Sequence, residues 1–128
     1  MPIYKYTADW LRRADDDFEA ARILIEEDGP INPICLHAQQ AYEKYLKGFL
    51  AFHNKHIRRS HDLGTLLDLC KELDVSLEEL RGEVDFLDEF YPNIRYPADT
   101  PEYSFDECKQ AYAAALRIKE FVLNNIGE

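Results

Sequence analysis

Apolar residues recur at helical spacing through most of the chain, and no segment keeps the two-residue alternation of a strand. The first such stretch runs from Thr7, placed to cap its N-terminus, to about Glu27. Its stripe is Trp10, Leu11, Ala14, Phe18, Ala21, Leu24 and Ile25, and Asp28-Gly29-Pro30 stops it. A second stretch runs from about Asn32 to His53. A third, shorter one follows Ser60, with Leu63, Leu66, Leu67, Cys70 and Leu73 facing inward. Ser76-Leu77-Glu78-Glu79 reads as a capping box opening a fourth helix, which Pro92 ends. Ser104-Phe105-Asp106-Glu107 is a second box, opening a fifth helix with Cys108, Ala111, Tyr112, Ala115 and Phe121. Short loops between long amphipathic helices predict an all-α fold: an up-and-down antiparallel four-helix bundle with an additional short helix.

The second stretch carries the most information. At about 100° per residue, Ile34, Ala38, Ala41, Tyr42, Tyr45 and Phe49 share one arc, while His37, Gln40, Lys44 and Lys47 lie opposite. Lysines three residues apart repel, so this polar face is not arranged for stability alone. An ordinary surface account is also open, because Glu43 precedes Lys47 by four residues and Gln40 can hydrogen-bond toward Lys44. Asp17 falls inside the apolar stripe of the first helix, where a carboxylate needs either the core's edge or a cationic or hydrogen-bonding partner.

Composition narrows the reading. A chain of 128 residues, 46% hydrophobic, suits one domain, residues 1–128, with a single core. No segment approaches the roughly 20 apolar residues of a membrane span, and the N-terminus lacks the features of a secretory signal. Cys35, Cys70 and Cys108 lack metal-ligand spacing, and their odd number argues for buried free thiols in a reducing cytoplasm. The aromatic share, 12%, with Tyr42, Tyr45, Phe49 and Phe52 on one helix, exceeds a four-helix core's needs and points to an interface.

The net charge of −10 weighs against indiscriminate nucleic-acid binding, so a phosphate site must be a local basic patch. One candidate is His53–His61, where six Lys, Arg or His side chains, Arg59 and His61 among them, fall in nine positions. Complementing a helix dipole accounts for only one or two of these. Between the fourth and fifth helices, Tyr91–Pro101 holds three prolines and a single cation, Arg95, beside Tyr96. Arg95 either grips a phosphate, carboxylate or stacked base, or pairs with a carboxylate of the body such as Asp17 or Asp62. Asp62, for its part, can simply cap the third helix. No Gly-rich phosphate loop exists, and the acidic clusters at Asp15–Asp17 and Asp85–Glu89 lack the geometry of a metal site.

Three landmarks follow in order: Ala38-Gln39-Gln40-Ala41-Tyr42-Glu43-Lys44-Tyr45-Leu46-Lys47, then Ser60-His61-Asp62-Leu63, then Ile94-Arg95-Tyr96-Pro97. In this order the chain resembles the HEPN family of small helical domains, from about Thr7 to the end of the last helix. The resemblance implies four long helices and a short one, and nucleotide binding or assistance to a minimal nucleotidyltransferase encoded nearby, as in toxin–antitoxin modules. Some members are metal-independent ribonucleases whose pattern is an arginine followed, a few residues later, by a histidine. Here Arg58 and Arg59 lie too close to His61 and Arg22 too far from His37, so catalysis is not expected and no catalytic residue, metal or cofactor is assigned. The expected ligand set is Gln40, Lys44, Lys47, Arg59, His61, Arg95 and Tyr96, converging on one nucleotide, RNA or other anionic ligand. Tyr96 would stack on a base, and Asp17, Glu43 and Asp62 would be structural charge partners. A homodimer is expected. The competing reading is a pure interaction bundle that binds no small ligand.

Overall fold

Two residues in the left-handed backbone region set the chain's first reversals. The computed structural model describes residues 5–57, 62–89 and 103–126. Helix α1 (Lys5–Glu26) closes where Asp28 takes φ 53°, so that Gly29 N–H donates to Leu24 O (2.8 Å) and Asp28 N–H to Ile25 O (3.4 Å). Helix α2 (Ile31–Phe52) closes the same way at Asn54, φ 60°, with Lys55 N–H on Leu50 O (2.9 Å) and Asn54 N–H on Ala51 O (3.0 Å). Both are the paired closure that satisfies the last free carbonyls of a helix.

The remaining elements are α3 (Leu63–Lys71), a 3₁₀ turn (Val75–Leu80), α4 (Arg81–Asp88) and α5 (Phe105–Ile126). Asp62 caps α3, accepting from Gly64 N–H (3.0 Å) and Thr65 N–H (3.4 Å). The box at Ser104 and Glu107 forms reciprocally: Glu107 N–H donates to Ser104 Oγ (3.0 Å) and Ser104 N–H to Glu107 Oε1 (2.9 Å). The box at Ser76 does not. Asp74 takes the Ser76 hydroxyl (2.6 Å) and N–H (3.0 Å), the turn winds as 3₁₀, and α-helix resumes only at Arg81. Thr7 is not a cap either, since α1 begins at Lys5 and Thr7 lies buried within it.

The described residues contain helices and no strand, arranged as the expected helical bundle. Contacts between α1 and α2 run in opposite senses: a Cβ on Gly48 would stand 2.8 Å from Leu11 Cδ2, Lys47 lies over Trp10, and Asp15 meets Tyr45. Phe18 stacks on Tyr112 (4.8 Å) while Asp15 reaches Lys119 (3.6 Å), so α1 and α5 are also antiparallel. Cys35 meets Cys108 and Phe49 meets Phe121, so α2 and α5 run the same way, as alternate members of an up-and-down bundle do. More than half of α2 is buried.

Two expectations fail here. Cys35 and Cys108 form a disulfide, with Cα atoms 4.8 Å apart, because the parallel contact of α2 and α5 brings them within bonding range. Cys70 alone is a free thiol; burial pushes it up to about 12, and its Sγ lies 3.6 Å from Leu46 O. An odd count left one thiol over but did not prevent a pair, and the case for a reducing compartment loses its footing. The four aromatics of α2 are not surplus to the core: Tyr42, Tyr45 and Phe49 fill it, and Phe52 packs against it. No helix among the described residues is long and apolar enough to cross a membrane.

Candidate ligand-binding site

Helix geometry orders the polar residues of α2 around its axis. Taking Gln39 as origin, Glu43 is rotated by about 40°, Lys47 by about 80°, Gln40 by about 100°, Lys44 by about 140° and His37 by about 160°. One end of this arc meets α1. The other runs toward Leu46, whose carbonyl faces Cys70 of α3.

At the α1 end, Asp17 bridges two residues of α2. One carboxylate oxygen lies 2.9 Å from His37 Nδ1 and the other accepts from Lys44 Nζ. The Asp17 side chain is 12% exposed, that of Lys44 26% and that of His37 34%, so the cluster opens to solvent on its cationic side. The single carboxylate in the apolar stripe of α1 thus finds its partners across the helix–helix contact. The Asp17–Lys44 pair, partly open to water, contributes up to about 1 kcal/mol.

Lys47 behaves differently. It pairs with Glu43 at 2.9 Å, and both side chains are 7% exposed. Its Nζ also lies 5.3 Å from the centre of the Trp10 ring. The surface pair that spacing alone allowed is therefore internal, because Trp10 of α1 covers the polar side of α2. Trp10 further lines, with Tyr6, Asp9 and Arg13, a cavity of about 180 Å³. The Trp10 indole N–H and both polar atoms of the Gln39 amide are buried without a hydrogen-bond partner among the described residues.

The flanks hold these groups in place. Tyr45, buried beside the same contact, donates its hydroxyl to Asp15; burial and that carboxylate raise its phenol above the usual range. Lys119 of α5 lies over the Phe18 ring at 4.6 Å. At the start of α3, Asp88 accepts from Leu63 N–H (3.0 Å) and Gly64 N–H (3.2 Å), beside the Asp62 cap. Burial, with the neighbouring Asp62 charge, raises the Asp88 carboxyl. Burial acts upward on Asp62 too, but its hydrogen bonds from Thr65 and Gly64 outweigh it and lower the group.

Of the expected ligand residues, Lys44 and Lys47 lie on the same arc, each on its own carboxylate, and Gln40 sits half-buried between them in rotation. Arg59, His61, Arg95 and Tyr96 lie outside the described residues. No cluster of three or more His, Cys, Asp or Glu suited to a metal occurs among the described residues. Sequence reasoning missed Gln39, Trp10 and the role of His37. The signal for His37 was present: it stands seven residues before Lys44, on one side of the helix, and so shares any partner in the facing stripe.

A family model described as the HEPN domain matches residues 7–126. The structure is similar to the crystal structure of TT1696 from Thermus thermophilus, at 30% identity and a TM-score of 0.81, covering 94% of this chain and 98% of that one. It is also similar to the crystal structure of ST0689, an archaeal HEPN homologue, at 25% identity and a TM-score of 0.71, covering 94% of this chain and 97% of that one. No curated protein matches the chain.

Proposed function

Because this chain belongs to the HEPN family, we propose that it is a single-domain, non-catalytic HEPN protein that binds a nucleotide along the polar arc of α2 and serves as accessory partner to a minimal nucleotidyltransferase, in a toxin–antitoxin-like module. The observation that carries this reading is the polar strip itself. Gln39, Glu43 and Lys47 are buried in a helix whose other inward residues are apolar, and a well-packed apolar set would hold the bundle at least as firmly. Lys44 and His37 supply the solvent-facing edge. Lys44 has three N–H donors and uses one on Asp17, which leaves two for a phosphate. The test is calorimetric titration of ATP and short RNAs, with and without divalent metal, into wild type and Lys44→Ala. Binding weakened about tenfold by Lys44→Ala, at unchanged helicity, supports the site; wild type that binds none of them ends the reading. RNA cleavage by the purified protein, abolished in His61→Ala, would reinstate a ribonuclease.

A pure interaction bundle is favoured by a different observation. Phe105, Leu116 and Leu123 are exposed on α5, next to a groove of about 460 Å³ lined by Arg22, Ile25, Glu26, Lys109, Tyr112 and Ala113. A homodimer using this face would be split by Leu116→Glu in sedimentation at tens of micromolar. A wild-type monomer would remove it.

A further inference from the structure

The outward face of α5 keeps an apolar stripe in water. Phe105, Leu116 and Leu123 are exposed and, with Lys109, Ala113 and Glu120, fall within about 80° around the helix axis. From Phe105 to Leu123 the stripe runs about 27 Å, and it borders the groove between α1 and α5 that Tyr112 and Ala113 line. The charges on this stripe differ from those around it. On α1, Lys5, Arg12 and Arg22 each pair with an acid three or four residues away on the same helix. On α5, Arg117 pairs with Glu83 of α4 and Lys119 with Asp15 of α1. Lys109 and Glu120 stand eleven residues apart, and neither has an ion-pair partner among the described residues.

This stripe is complementary to itself in one orientation. Two antiparallel copies of α5, related by a two-fold axis midway between Ala114 and Ala115, set Lys109 of each against Glu120 of the other. The same axis sets Leu116 against Ala113 of the second copy and brings Leu123 within one residue of facing Phe105. A large side chain thus meets a small one at the centre, where the helices must approach most closely. Parallel copies would instead stack Lys109 on Lys109 and Glu120 on Glu120, and like charges facing across a helix pair oppose that arrangement. We infer that α5 docks antiparallel on α5 of a second copy of this chain, with Leu116 seated in the groove beside Ala113 and Lys109 paired with Glu120 across the interface. This rests on the interaction reading given above and adds the orientation and the contacts that fix it.

Charge reversal tests the orientation. The dimer dissociation constant is measured by sedimentation for wild type, Lys109→Glu, Glu120→Lys, the double variant carrying both, and an equimolar mixture of the two single variants. Each single variant alone should dimerise about tenfold more weakly, because both cross-copy pairs become repulsive. The double variant should return to within about threefold of wild type, and so should the mixture, where each chain supplies the charge the other needs. Recovery on mixing also shows that the single variants are folded. Single variants that dimerise as tightly as wild type, while Leu116→Glu splits the dimer, overturn the antiparallel pairing and leave the α5 face in place. A dimer indifferent to Leu116→Glu as well uses another surface and overturns the inference, while association itself stands. A wild-type monomer at tens of micromolar overturns both the inference and the interaction reading.

Discussion

Lys47 shows how a single neighbour changes what a residue does. Its charge is held by Glu43 and the Trp10 ring in a place where neither charged side chain is more than marginally open to water. Removing Lys47 takes from the buried Glu43 carboxylate its partner at 2.9 Å, so Lys47→Ala should cost up to about 3 kcal/mol in urea unfolding. The double variant Glu43→Gln, Lys47→Met should lie within about 1 kcal/mol of wild type, since it removes both charges at nearly constant volume. Asn54 supplies the opposite case. It bears the strain of a left-handed backbone, which glycine adopts freely, so Asn54→Gly should stabilise by about 0.5–1 kcal/mol. The anomaly of Asp17 in an apolar stripe was legible in the sequence. The burial of Lys47 was not, because the covering side chain comes from a different helix, 37 residues earlier.

Elements were legible where their ends are local. The Ser104–Glu107 box needs only four consecutive residues, and it formed as written. The Ser76 box failed for an equally local reason that pattern matching passes over: Asp74, two residues upstream, is a stronger acceptor for the same groups. The start of α3 depends on more than its own segment, because Asp62 just before it and Asp88 from α4 both bind its first amides. The two carboxyls respond to pH with opposite signs. Asp88 is raised, so its contribution is full below the ordinary carboxyl value of about 3.8 and is lost as pH rises through its folded value. Asp62 is lowered, so its contribution is present above that value and fades as pH falls through its folded value. Urea unfolding of wild type and Asp88→Asn from about pH 3 to about pH 7 should therefore show the variant losing less stability on the way up.

At the scale of the molecule, the parallel pairing of α2 with α5 governs both stability and assembly. The Cys35–Cys108 bond closes a loop across a sequence separation of 73, and its removal in a Cys35→Ser, Cys108→Ser protein should cost about 2–4 kcal/mol in denaturant titration. This bond was beyond the reach of spacing arguments, since nothing local to either cysteine says which helices run side by side. The same pairing also imposes an order on synthesis. Helices α1 and α2 can meet as a hairpin soon after they leave the ribosome, but the side of α2 that carries Cys35 and Phe49 waits for α5, more than fifty residues later. A nascent chain stalled in that interval presents unpaired aromatic surface and an unpaired cysteine, which makes it a natural client for a chaperone.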